Sequence, residues 1–250
     1  MKITTFTTFF LFCVTAVLAQ TATQPSGTGT TGDPYQIADL SNLYWLSQSD
    51  TAWDRHYVQA ADIDASATES WDSGSGFSPV GNGSVPFSGT YNGRGYTITG
   101  IFIDQGSSNF KALFGKTSGS AIINSLGLMK TYVKGNRKVG GLVGENNGTV
   151  NCCFSKGKIR SELSERYVYG GGLVGLNKGS ISESFSISDV QAPGHLVGGL
   201  VGRNTGDTIR NCYSRGTVKA EDHTGGLAGD NYNEGSVILD SYSTSSVNGD

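Results

Sequence analysis

From residue 111 onward the apolar residues fall in runs of one to three, cut by Gly, Asn and Ser every few positions. No stripe of 3.6-residue period survives between the cuts, and each glycine inside a helix would cost about 1 kcal/mol. The pattern predicts short strands. A seven-residue phrase recurs as Gly140-Gly141-Leu142-Val143-Gly144-Glu145-Asn146 and with its leading glycine at 171, 198 and 225, in steps of 31, 27 and 27 residues. After it come a Val or Ile and then a small residue beside an aromatic, as in Ile181-Ser182-Glu183-Ser184-Phe185-Ser186.

Three short strands in a period of this size predict one rung of a stacked solenoid, an all-β parallel β-helix whose right-handed coil is the default for parallel crossovers. With rungs about 4.8 Å apart, equivalent side chains line up in columns. Leu142, Leu173, Leu200 and Leu227 form an inward column. Asn146, Asn177, Asn204 and Asn231 form a corner column, where Asn tolerates the left-handed region and stacked amides bond between rungs. The degenerate earlier copy, Leu113-Phe114-Gly115 with Ile122-Ile123-Asn124-Ser125, has Thr117 at that corner, so the ladder begins at Asn146. Gly140, Gly144, Gly171, Gly175, Gly198, Gly202, Gly225 and Gly229 are expected to supply tight turns and positive φ.

The chain ahead of the repeats reads differently. Residues 33–110 are expected to form a cap and the first rungs, and 111–250 the repeats. Tyr35-Gln36-Ile37 predicts a short strand, and Leu40, Leu43, Tyr44 and Ser47 predict an amphipathic helix within 39–49 that covers the open first rung. Tyr57 to Asp64 reads as one strand. Asn92-Gly93 is a hairpin signal in isolation, but before a stack it is expected to turn one face into the next. Residues 20–32 carry no apolar side chain larger than Ala apart from Pro25 and read as a flexible linker. Gly27-x-Gly29-x-x-Gly32 there lacks the strand and helix that a dinucleotide fingerprint needs. Lys2, the apolar run 6–18 and Val17-Leu18-Ala19 read as a signal peptide over 1–19, which implies export.

Charge narrows the partners. A net charge of -3 with 16% charged residues gives no electrostatic footprint for nucleic acid or an anionic membrane. Beyond the leader no stretch reaches the roughly 18 apolar residues of a membrane span. Without Cys13 three cysteines remain, too few and too odd for a disulfide framework. Cys153 and Cys212 share a column with Ser125, Ser184 and Ser241 and would sit two rungs apart, beyond disulfide reach.

Candidate chemistry is sparse. Phe154, Phe185, Tyr213 and Tyr242 form an aromatic column, core if turned inward and a strip for sugar rings if turned outward, with core or a self-stacked ladder the favoured reading and a ligand-binding surface the alternative. Asp62 and Asp64, two apart on one strand face, are the one tidy carboxylate pair and are expected to bond turns. His195 and His223 precede Gly-Gly in comparable loops about one rung apart with no evident third ligand, and His56 stands alone. No nucleophile elbow or phosphate loop is present, so no catalytic centre, cofactor or metal is expected.

The four glycine phrases, with their Asn and the Ser/Cys-aromatic-Ser that follows, resemble the GLUG motif of bacterial surface and secreted proteins over about 111–250. The segment 33–103, with its DPYQI, ADIDAS and FSGTYNGRGYTITG phrases, also resembles what often precedes such repeats. The resemblance implies a secreted or cell-surface protein and an adhesin-like role. Some members carry a zinc peptidase domain, whose HExxH is absent here. The expected work is a binding surface or rigid stalk, with an extracellular glycan or surface protein as partner; the alternative is a polysaccharide-binding or -cleaving β-helix. The sequence stops where another Gly-Gly-Leu is due, which predicts a C-terminal continuation or a docking partner.

Overall fold

The structure, a computed structural model, describes residues 20–162 and 167–249; the leader expected over 1–19 lies outside the described residues. The strands pair parallel throughout and form four sheets along one axis. Sheet I holds Lys138–Gly140, Tyr169–Gly171, His195–Gly198 and Asp222–Gly225. Sheet II holds Phe114–Lys116, Val143–Asn146, Val174–Asn177, Val201–Asn204 and Ala228–Asn231. Sheet III, of eight strands, runs from Tyr35–Ile37 to Val237–Leu239. Sheet IV, of nine, runs from Ile63–Asp64 through Gly127–Gly135, Phe154–Ser161, Phe185–Gln191 and Tyr213–Ala220 to Tyr242–Ser243, with Phe102–Asp104 and Ser246–Gly249 paired at its sides. The chain is a parallel β-helix in which each repeat crosses all four sheets once, so a rung holds four short strands and not the three expected from the spacing, because the Gly-Gly-Leu turn itself separates two of them.

Registers follow the repeat. Val143 pairs with Val174, which pairs with Val201, then Ala228; Val150 pairs with Ile181, then Ile209. Leu142, Leu173 and Leu200 are fully buried and Leu227 is half-buried in the last rung. The degenerate copy is a true rung, because Phe114 pairs with Val143 and Ile123 with Val150. Asn92-Gly93 lies between Thr90–Asn92 of sheet III and Thr97–Thr99 of sheet IV, so it turns a corner as expected. Tyr57 to Asp64 does not form one strand: His56–Gln59 belongs to sheet III and Ile63–Asp64 to sheet IV, with a corner between.

The N-terminal cap is the helix Leu40–Gln48, whose N-cap Asp39 accepts from the Asn42 amide at 3.0 Å. Leu43 and Leu46 are buried against the first rung, and Trp53 donates its indole N–H to the Leu46 carbonyl at 2.8 Å. The stretch 20–32 is not a free linker. Its Ser26 carbonyl accepts from Gln36 at 2.8 Å, Thr23 donates to Ser41 at 3.1 Å, and His56 donates to Gly29 at 3.0 Å. Few apolar side chains are needed, since backbone bonds to the cap hold it.

Two expectations about the corners are corrected. The repeat glycines listed above do not have positive φ. A Cβ on Gly171 would lie 1.9 Å from the Val174 carbonyl oxygen and 2.8 Å from the Gly202 amide nitrogen, so glycine is required for close backbone approach. The ladder asparagines also have ordinary φ; the left-handed corner is the column Ser125, Cys152, Glu183, Asn211 and Asp240, at φ 49 to 53. There the strained backbone is fixed by rung-to-rung bonds, such as Cys152 N–H to the Ser182 carbonyl at 3.1 Å.

The amide ladder itself runs through the interior. Asn146 donates to the Asn177 side chain at 2.8 Å, Asn177 to Asn204 at 2.7 Å and Asn204 to Asn231 at 2.8 Å, while Thr117 donates to Asn146 at 3.0 Å from the rung before. Beside it sits a charge cluster with no sequence signal. Glu145, 2% exposed, pairs with Lys138, with Lys178 at 3.1 Å and with Lys116 at 3.6 Å. Burial alone would raise its pKa, but the Lys138 and Lys178 ammoniums hold it down at about 2. A depressed carboxylate stabilises the fold fully above its unfolded value near 4.5 and loses that contribution as pH falls toward 2. Allowing for solvent around the lysines, we expect Glu145→Gln to remove about 2 kcal/mol at pH 7 and to flatten the acid limb of the stability curve between those pH values. Urea titrations of both proteins across that range check it; parallel curves would contradict it.

Candidate functional site

A groove of about 820 Å³ runs over sheet IV, bordered at its first rungs by Ser66, Glu69 and Gly100. Gly157 pairs with Thr131 and with Ser188, and Ser188 with Gly216, so small residues form the floor. The register slips between Ser155 and Gly157, where Leu128 to Thr131 has one residue more than its partner strand. This bulge puts Lys130 at φ 51 and into the groove lining, and Gly216 reaches φ 120 in the last floor position. One wall is the column Tyr132, Lys158, Asp189 and Thr217, flanked by Phe102. Phe102 and Tyr132 stack at 4.8 Å with planes 10° apart. The other wall carries Lys156 and Ile187.

Charge in the groove is uneven. Asp189 is occupied, bonded to Arg160 at 2.5 Å and accepting from Thr217 at 2.8 Å, and these contacts lower its pKa against the effect of burial. Lys130, Lys156 and Lys158 are exposed, and among the described residues none of them forms a salt bridge. One exposed carboxylate, Glu69, also lines the groove, so three unpaired ammoniums outweigh it on a surface that crosses several rungs with aromatic and apolar walls, which fits an elongated anionic ligand.

The aromatic column forms the self-stacked ladder favoured by the sequence reading, with the sugar-binding strip as its alternative. Phe154, Phe185, Tyr213 and Tyr242 point outward but stack on one another at 4.9, 4.7 and 5.4 Å with planes 5 to 12° apart. Phe185 and Tyr213 have both faces spent on neighbours, so the column offers mainly edges, whereas the stack of Phe102 on Tyr132 uses one face of each. Phe154 covers Gly127, its partner one rung back, where a Cβ would lie 2.4 Å from the ring.

The other candidates are mostly bonded in place. Asp62 accepts from the Thr97 amide at 2.7 Å and its hydroxyl at 3.0 Å, and Asp64 accepts from the Ser66 amide at 2.9 Å. His56 bonds Thr90 at 2.8 Å and Thr31 at 3.1 Å. Cys153 and Cys212 are buried free thiols, pushed up to about 12 and about 11 by burial. Their column contains Ser184 and Ser241 but not Ser125: pairing of Phe154 with Gly127 aligns Leu126 with Cys153, and Ser125 with the corner residue Cys152. His195 and His223 do come together, with ring centroids 6.2 Å apart, and a third donor stands with them. Asp222 pairs in register with His195, and its Oδ2 lies 3.1 Å from each Nδ1.

Fold and columns define a β-helical repeat protein. Residues 193–219 match the family model described as the GLUG motif, so the chain is a β-helical repeat protein that carries this motif. It is 35% identical over 136 residues to halomucin of Haloquadratum walsbyi, a match covering 53% of this chain and 2% of that protein. It is 36% identical over 186 residues to a protein of Evansella cellulosilytica named "Putative Gly-rich membrane protein", covering 71% of this chain and 21% of that one. The chain therefore spans only a small part of the length of these curated relatives. Among solved structures, a "putative immunoglobulin A1 protease" from Bacteroides ovatus superposes with a TM-score of 0.64 at 16% identity, covering 89% of this chain and 79% of that one. That likeness shows a shared fold. No helix among the described residues is long and apolar enough to cross a membrane.

Proposed function

We propose that this chain is a secreted or cell-surface scaffold that binds an extended acidic glycan along sheet IV, as an adhesin does, without cleaving it. The observation that carries the reading is the groove itself: three unpaired lysines beside the stacked Phe102 and Tyr132, on a floor of small residues that lets a chain lie close. Rungs repeat at about 4.8 Å, so a ligand lying along the axis meets an equivalent position at each step. The leader-like start and the surface-type names of halomucin and the Evansella protein support an extracellular setting. The carboxylates that a lyase or hydrolase reading would use, Asp62 and Asp64, bond backbone and Thr97.

The test is a glycan array spanning neutral and uronic-acid oligosaccharides, followed by affinity measurements on the best anionic hit. Lys156→Ala with Lys158→Ala is expected to weaken binding by about tenfold or more at low salt, and rising salt is expected to weaken the parent protein. Tyr132→Ala should weaken it at every salt concentration. Binding confined to neutral glycans, or unchanged in all these variants, would reject the groove, and shortened sugar products would favour an enzyme instead.

A further inference from the structure

Outside the groove, one side-chain cluster combines donors that bind metal. His195 opens a strand of sheet I, and Asp222 and His223 open the strand one rung later. In an extended strand neighbouring side chains point to opposite sides, which would separate Asp222 from His223. His223 at φ 47 breaks that alternation, so both residues face His195. The Asp222 carboxylate sits between the two imidazoles at 3.1 Å from each, and the three donor atoms lie within 4.8 Å of one another. His195 is partly buried, which fixes one donor, while Asp222 and His223 are each 56% exposed and leave the outer side open to water.

We propose that His195, Asp222 and His223 bind one divalent transition-metal ion, such as Zn(II), Ni(II) or Cu(II), and that this ion clamps the last two described rungs together. Two imidazole nitrogens and one carboxylate oxygen suit these borderline cations, whereas calcium and magnesium favour all-oxygen sets. Around tetrahedral zinc, donors lie about 3.4 Å apart, so the exposed His223 has only to swing in slightly. Arg203, which lines the same pocket, is held by Asp230 at 3.1 Å and lies 4.0 Å from the Tyr232 ring. His195 and Asp222 pair in register from successive rungs, so an ion held between them ties those two rungs together. The site rests on no part of the glycan reading and faces sheet I, not sheet IV.

The experiment titrates the full chain with Zn(II) alone by calorimetry and with Cu(II) alone by electron paramagnetic resonance. Expected are one equivalent of tightly bound metal, nitrogen hyperfine coupling from two imidazoles, and an unfolding temperature that rises with metal concentration. His195→Ala and His223→Ala are each expected to lower affinity about tenfold or more, with circular dichroism unchanged, while Cys152→Ser leaves it intact. Retained stoichiometric binding in the double histidine variant, or no binding by the folded parent, would overturn the site.

Discussion

Gly171→Ala is expected to destabilise the protein by about 3 kcal/mol or more, while Gly32→Ala leaves the denaturation midpoint unchanged. Adding a methyl group usually costs 1–3 kcal/mol when the neighbours are mobile side chains, and here they are backbone. The new Cβ would stand 1.9 Å from the Val174 oxygen, 2.7 Å from its carbonyl carbon and 2.8 Å from the Gly202 nitrogen, so relief requires moving two rungs. Positive φ plays no part at Gly171, which separates this steric demand from conformational strain. Gly32 has no atom within 4 Å of an added Cβ and also lacks positive φ, which makes it the matched control. Urea midpoints of the two variants decide the matter. Equal, small shifts would mean that the Gly-Gly-Leu corner is conserved in shape for some reason other than close approach.

Asn177→Leu should cost about 3 kcal/mol, and Asn231→Leu about half of that. Asn177 is fully buried and makes three side-chain bonds: it accepts from Asn146, donates to Asn204 and donates to the Gly179 carbonyl at 2.8 Å. Leu is close in volume, so packing changes little. What is lost is satisfaction, because the Asn204 amide oxygen and the Gly179 carbonyl each lose this donor, at about 1–3 kcal/mol for each group left unpaired. Asn231 is exposed, so its own position is open to water, while the buried Asn204 amide is left without its acceptor. Hydrogen exchange adds a spatial check: protection should fall in the rungs of Asn146 and Asn204 for the first variant and only in the last rung for the second. Equal losses at the two positions would mean that the ladder contributes nothing beyond what solvent supplies.

The periodic part of this architecture is legible in the sequence because stacking forces the same residue type onto the same position. The Leu column and the Asn ladder starting at Asn146 both follow from that repetition. Features set by backbone geometry leave no such trace. The left-handed corner is filled by Ser125, Cys152, Glu183, Asn211 and Asp240, five residue types in five rungs, because the bonds between rungs and not the side chains hold it. Register within a column is hidden for the same reason, and Ser125 was placed one residue away from where the pairing sets it.

The candidate sites lie where the repeat is broken. Lys130 enters the groove through a one-residue bulge that no copy announces. Asp222 looks like a mere neighbour of His223 until parallel pairing sets it beside His195, 27 residues earlier. Glu145 stands at the variable sixth position of the glycine phrase, where Leu176, Arg203 and Asp230 follow in the later copies. Only the lysine beside it in register, Lys116, and its neighbours across the corner explain why a carboxylate is buried there. The aromatic column shows the converse: its regularity was visible, but its regularity is what turns the rings onto each other and away from a ligand.

The central claim is that the sheet IV groove is the binding surface, and backbone NMR titration of the full chain with an acidic oligosaccharide retained on the array tests it most directly. The account expects shifted amides along Lys130, Tyr132, Lys156 to Lys158 and Ile187 to Asp189, spanning successive rungs and leaving the Phe154 to Tyr242 column unmoved. Perturbations centred on that aromatic column or on sheet II, with the groove silent, would contradict it.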